Sequence, residues 1–402
     1  MANNLKRRGE TTADSTAARM PGWQPLSSEK NVNDVTAAVD CSDVTALFGR
    51  PFPVQFRHQG AIAAWTRALD GSELWRHWQD PGTLCRDIRQ AVSRQVELIY
   101  PSFMVRQEES QRAAQTRRIL EAVVSTNLKY HLNKGTVIEA TPALETLLTN
   151  SDVDLGLPMS FVAPPYQTQY LRFGEAAMRY LKVPGVDVPD CVFDGVFCFF
   201  SPDAACSTEG QPLWMLELFF IVKRQDIHKA HIELAGETDR GNVTLGEWLD
   251  KGLAEGAGPS FAAYRREVNA AVSYVVKVFL YMTLKQARVM EYPAYDAALR
   301  RAAGLGERKR AKLLQRAATL YNSIVVGPDT LPPSPTVDGA GSGMAPHWRR
   351  GHFRMQPFGT GNQQRKHIFV APALIHAEQL QGEVPAPKPY RAGPPAVIEG
   401  QR

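Results

Sequence analysis

Long apolar runs are missing from this 402-residue chain, and none approaches the ~18 residues a membrane-spanning helix requires. No membrane contact is therefore expected. Cysteine is scarce: Cys41, Cys85, Cys191, Cys198 and Cys206 make an odd number with no Cys-x-x-Cys pair. That excludes a secreted disulfide framework, predicts a cytoplasmic protein and reads Cys191 and Cys198 as buried thiols. Lys6, Arg7 and Arg8 have no apolar segment behind them, so no signal peptide is expected. There is no Walker loop and no dinucleotide fingerprint. Gly339-Ala-Gly-Ser-Gly343 lies among turn residues rather than in a strand-to-helix elbow. No cofactor is expected. No internal repeat occurs.

What is present is ordinary for a globular protein: 44% hydrophobic and 22% charged residues, which excludes collagen and a fully disordered chain. At roughly 100–200 residues per domain, two or three units are expected. Residues 1–40 are rich in Ser, Thr, Asn and Ala and read as a disordered tail. Residues 41–150 read as a helical region, 151–330 as an α+β core and 331–345 as a linker or loop rich in Pro and Gly. Residues 346–378 read as a basic hairpin packed on the core, and 379–402 as a Pro-rich tail.

Apolar periodicity carries the helical expectations. Leu84, Ile88, Val92, Val96 and Ile99 form one stripe. Ile119, Leu120, Val123 and Val124 form another, on a helix running from Val105 toward Tyr130. Thr244 followed by Glu247 predicts a capping box. Val268, Val272, Val275, Phe279 and Met282 mark a longer helix with one buried face, and Glu307–Arg316 a basic one. Between the helical regions, Tyr170–Phe173, Cys191–Phe200, Leu213–Val222 and His228–Leu234 are aromatic and branched runs bounded by turn residues, including Pro202 and Asp203. They predict strands of one central, mainly antiparallel sheet. Asp194 and Glu217 fall inside these strands, which a sheet with one wet face would explain. The fold class expected is α+β: a helical N-terminal part, the central sheet, a helical segment and a C-terminal basic β-hairpin.

The net charge is only +5, from 46 Lys and Arg against 41 Asp and Glu, but it is unevenly spread. Residues 339–377 contain no acid. Arg349, Arg350, Arg354, Arg365 and Lys366 fall there, with His347, His352 and His367. Gly359 and Gly361 predict a turn between two strands. Strand alternation puts Trp348, Arg350, His352 and Arg354 on one face and His347, Arg349 and Phe353 largely on the other, unless a bulge at Gly351 shifts the register. Guanidinium forks match phosphate oxygens, and Trp348, Phe353 and Phe358 offer rings for unpaired bases. The candidate phosphate-binding set is His347, Trp348, Arg349, Arg350, His352, Arg354, Arg365 and Lys366. A metal-independent ribonuclease would draw its acid and base from His347 and His352, with Arg350 or Lys366 steadying the phosphorane. Binding without catalysis is the favoured reading; a structural hairpin on a protein-binding module and the ribonuclease are the alternatives. His347 and His352 have no Cys or carboxylate at ligand spacing, so no metal is expected.

Pro346-His-Trp-Arg-Arg-Gly-His-Phe-Arg-Met-Gln356, then Gly359-x-Gly361, Arg365-Lys366 and Ile368-Phe-Val-x-Pro372, resembles the C-terminal signature of a family spread on phages and conjugative plasmids. Lys312-Leu-Leu-x-Arg316-Ala and Ile324-Val-Val-Gly327-Pro328 fit the same family. Ala373-Leu-Ile-His376 departs from its usual ending. One member is similar to a type V-A anti-CRISPR protein that lowers synthesis of the effector nuclease. The resemblance implies recognition of a target protein or of a nascent effector's N-terminal peptide, coupled to loss of its mRNA. The partners expected are that protein or peptide and RNA or the ribosome. No peptide-contacting residue transfers to this sequence.

Overall fold

The computed structural model describes residues 49–58, 62, 88–90, 92–93, 111–184, 191–208, 211–224, 227–238, 243–256, 264–317, 319–331 and 347–375. The expected N-terminal tail, the linker and the Pro-rich tail lie outside these residues or nearly so, as does most of the helix expected over 84–99. Ile88 and Val92 are described, helical and fully buried.

The element order begins with α1 (Phe52–His58) and α2 (Gln111–Leu132), then β1 (Thr136–Ala140), α3 (Pro142–Thr149), β2 (Ser151–Asp152), β3 (Thr168–Arg172) and α4 (Glu175–Tyr180). Three long strands follow: β4 (Cys191–Thr208), β5 (Gln211–Arg224) and β6 (Ile227–Glu237). Then come α5 (Leu245–Gly256), α6 (Arg265–Met282), β7 (Val289–Pro293), α7 (Ala294–Ala303), α8 (Glu307–Ala317) and β8 (Asn322–Val326). The chain closes with β9 (His347–Arg349), β10 (Gly351–Phe358), β11 (Gln364–Val370) and β12 (Ala373–Ile375). Among the described residues no helix is long and apolar enough to cross a membrane.

The architecture is α+β, with a mainly antiparallel seven-stranded sheet in the order β6-β5-β4-β3-β1-β8-β7. Its middle is parallel: β1 pairs in that sense with both β3 and β8. β1 comes from N-terminal to position 150, so the sheet draws on both sides of the boundary expected there.

Among the described residues the middle strands of the sheet are covered on both faces. Along β5, Leu216, Leu218, Phe220 and Val222 enter the core built with α3, α5 and α6, while Phe219 and Ile221 enter a second core with α1 and α2. Burial on both sides explains why these strands read as continuous apolar runs. It also corrects the reading of the two strand acids, which are 1% and 6% exposed. Asp194 accepts from the Tyr170 hydroxyl at 2.6 Å and pairs with Lys223 at 2.8 Å. Glu217 pairs at 2.8 Å with Lys129, itself buried on α2. Pro202 and Asp203 do not end β4; the pairing with β5 continues past them with a register shift. Cys198 is buried, and burial pushes its thiol well up, while Cys191 is only half-buried at the start of β4.

Local signals are met closely. The Thr244 amide donates to the Glu247 carboxylate at 2.8 Å and the Glu247 amide to the Thr244 hydroxyl at 3.2 Å, a reciprocal capping box. On α3, the Leu144 amide donates to the Thr141 hydroxyl at 3.1 Å, with Pro142 in the first turn. Val268, Val272, Val275 and Phe279 of α6 are buried as expected, and so are most of the residues between them.

Candidate functional site

The C-terminal hairpin is anchored where β10 meets β2. The two strands run parallel, Gly351 opposite Ser151 and His352 opposite Asp152. The Gly351 amide donates to the Asn150 carbonyl at 3.0 Å. A Cβ at Gly351 would sit 2.5 Å from the Ser151 hydroxyl and 2.6 Å from the Pro372 backbone nitrogen, so the approach requires glycine.

Three charged groups converge at this seam. The Arg350 guanidinium is hydrogen-bonded to the Asp152 carboxylate, both side chains being partly exposed. Beneath them lies Lys277 of α6, 2% exposed, whose ammonium donates to the Leu148 carbonyl at 2.5 Å and the Ser151 carbonyl at 2.8 Å. Burial pushes the Lys277 amine down to about 7; Asp152 opposes that shift and Arg350 adds to it. Tyr180 of α4 stands alongside, its ring centroid 5.8 Å from the Lys277 nitrogen. Burial raises the Tyr180 phenol, with Arg350 acting against the rise.

The inner face of the hairpin is apolar. Phe353, 5% exposed, stacks on Phe369 across the strands with centroids 4.5 Å apart, and Phe369 meets Tyr281 of α6 edge-on at 6.2 Å. The outer face follows from strand alternation. His352, Arg354 and Phe358 are exposed, and Lys366 is exposed opposite Gln356. The Lys366 ammonium lies 5.7 Å from the Phe358 ring centroid. The turn uses Gly359 (φ 76°) and Gly361 (φ 66°), both in the left-handed region.

His352, Arg354 and Lys366 thus share one open face. Arg349 is exposed but belongs to β9, which leaves the hairpin and pairs with β12. His347 is half-buried on that same ribbon, so the two histidines of the ribonuclease reading stand on separate strands of separate sheets. Arg350 sits at the break between the strands, turned to Asp152 instead of lying on the His352–Arg354 face. Trp348 lies on β9 and Arg365 on β11; their side chains are outside the described residues. Among the described residues no group of three or more His, Cys, Asp or Glu side chains is arranged to hold a metal ion.

Asp152, Tyr180 and Lys277 were not foreseen as partners of the signature. Lys277 alone left a trace in the sequence, a lysine inside Val275-Val-Lys-Val-Phe279. The second part of the signature is structural in a similar way. Ile324-Val-Val ends β8, and Gly327 (φ 114°) leaves no room for a Cβ beside Leu144 of α3 and its capping residue Thr141.

An open cationic face on a rigid apolar base suits a phosphate-bearing or acidic partner. The residues that build it, from the centre of the sheet to the hairpin, fall within one family. The chain belongs to the AcrVA2-like family, anti-CRISPR type V subtype A2, whose family model matches residues 138–377. Membership makes it an anti-CRISPR-like protein, with a CRISPR-related protein as the class of partner. The crystal structure of AcrVA2 is similar at a TM-score of 0.39 and 11% identity, covering 80% of this chain and 99% of that one. No curated protein matches the sequence.

Proposed function

We propose that this chain is a counter-defence protein of a phage or plasmid that lowers the production of a CRISPR effector. It binds the effector protein or its nascent N-terminal peptide and holds RNA with its C-terminal hairpin. The observation that carries the RNA part is the outer face of β10 and β11, where His352, Arg354 and Lys366 are exposed and none is in an ion pair among the described residues. Cations that are not internally neutralised are available to an outside anion. Arg350 contributes differently, by fastening the hairpin to Asp152.

The test is co-expression with a type V-A effector gene, measuring transcript and protein together. Both are expected to fall, and to recover when the effector's N-terminal peptide sequence is replaced. The variant R354A/K366A should fold normally yet lose most of the effect. Unchanged transcript and protein levels with the wild-type chain would refute the reading.

A further inference from the structure

A second group of cations stands on elements other than the hairpin. The segment β7-α7-α8-β8 leaves the sheet at its edge and returns to it. Its base is rigid. The Asn322 side chain accepts from the Tyr295 and Asp296 amides at 3.1 Å each, capping α7. The Arg57 guanidinium lies 3.9 Å from the Tyr295 ring centroid. Ala298, Ala302 and Ala317 are buried against this base, while most other side chains of the two helices are exposed.

The exposed part is strongly positive. Arg300 and Arg301 end α7, and α8 adds five more cations, all exposed. Asp296 and Glu307 are the only acids, each in the first turn of its helix, where a carboxylate favours the helix dipole. Seven cations against two acids leave an excess of five, equal to the formal net charge of the whole chain. Among the described residues none of the seven is in an ion pair. On α8, Arg308, Lys312 and Arg316 stand four residues apart, a stripe with a rise of about 6 Å per step.

We infer that the α7–α8 pair is a docking surface for the phosphate backbone of double-stranded RNA. Its composition selects that partner. Gln315 is the single amide on the two helices, and a helix reading bases in a DNA major groove presents several such groups. On the two helices Tyr295, half-buried under Arg57, is the single aromatic, and beside them on β7 Tyr292 is exposed, one ring where a stacking platform for unpaired bases uses several. The large apolar side chains exposed on the two helices are Leu299 and Leu314, with Val289 and Tyr292 on β7, scattered singly rather than forming the continuous apolar face that membrane binding needs. What remains is a row of point charges and forks, suited to the phosphates flanking an A-form groove that a helix cannot enter. This surface is separate from the hairpin of the proposed function and is testable without it.

The experiment measures binding of the full-length protein to a fluorescent RNA duplex across a salt series. The variant R308A/K312A/R316A should lose about tenfold or more in affinity at low salt, and its log–log salt slope should fall by about three, one for each phosphate contact removed. R308K/R316K should keep most of the binding, since charge is conserved, which separates lost contacts from misfolding. An unchanged slope in the alanine variant overturns the inference. So does equal or tighter binding of the matching DNA duplex, of a single strand or of a poly-glutamate peptide. R349A/R354A/K366A is run alongside. RNA binding lost in that variant but kept in the α8 variant assigns RNA to the hairpin alone and refutes this surface. The reverse result supports this surface and refutes the hairpin's RNA role.

Discussion

Lys277→Met separates the two consequences of burying an amine under the hairpin seam. The lysine gives hydrogen bonds to the Leu148 and Ser151 carbonyls; methionine removes both, and although the Asn150 amide still reaches the Leu148 carbonyl, each lost bond costs about 1–3 kcal/mol where it leaves a buried acceptor short. Against that, the buried amine is depressed from 10.5 to about 7. At about 1.4 kcal/mol per unit, that difference destabilises the folded protein by about 5 kcal/mol where the amine is protonated in both states. The two effects nearly cancel near neutrality, so the single-pH stability of the variant is not diagnostic, but its pH dependence is. Below pH 7 both states of the wild type carry the proton and the penalty is fully present. Between pH 7 and about 10.5 the unfolded chain holds the extra proton, so wild-type stability rises with pH through that window. The methionine variant lacks this term, and the other titrations cancel in the comparison. Urea unfolding of both proteins from pH 6 to 9 should show wild-type stability gaining about 2 kcal/mol on the variant between pH 7 and 9. A gap that stays constant with pH would mean that the amine remains charged in the folded state, and the account of the seam would be wrong.

Two further substitutions test the supports of the fold. Glu217→Gln strands the Lys129 ammonium, which is 1% exposed, and should cost about 3–5 kcal/mol in urea unfolding. The double variant E217L/K129M should recover much of that loss, and a cost below about 1 kcal/mol for the single variant would contradict the buried pairing. Gly351→Ala drives a Cβ into the Pro372 backbone nitrogen and ring, each 2.6 Å away. It should cost about 1–3 kcal/mol and speed amide exchange along β10; wild-type exchange in the variant would show that the seam tolerates a side chain.

The contrast between what the sequence revealed and what it hid follows the range of each interaction. The capping box at Thr244 and Glu247 involves residues three apart, and its signal is complete within one turn. The strands β4 to β6 announce themselves because they are long and apolar, and neighbours in the sheet are neighbours in the chain. β1, β7 and β8 are five residues each. β1 pairs Val137 with Ser323, so its membership of the sheet depends on a contact that no local pattern encodes. The wet face assigned to Asp194 and Glu217 failed for the same reason: the second helical layer carrying Lys129 comes from far upstream in the chain.

Charge is subject to the same limit. The stretch from 339 to 377 is free of acids, and local composition reads every cation in it as available. The carboxylate that holds Arg350 lies 198 residues away, and only folding brings it to the seam. Lys277 leaves a visible gap in an apolar stripe, yet its partners are backbone carbonyls, which every residue possesses and no composition can flag. The physical distinction that matters for function is therefore between cations the fold turns inward and cations it leaves in water. Arg350 and Lys277 fall on the inward side and fasten the hairpin. Arg354 and Lys366 on the hairpin, and Arg308, Lys312 and Arg316 on α8, fall on the outward side. The helical pair carries an excess of five positive charges, and the acid-free stretch from 339 to 377 carries five Lys and Arg of which Asp152 holds one, so the chain's positive charge is gathered at these two places rather than spread over the surface.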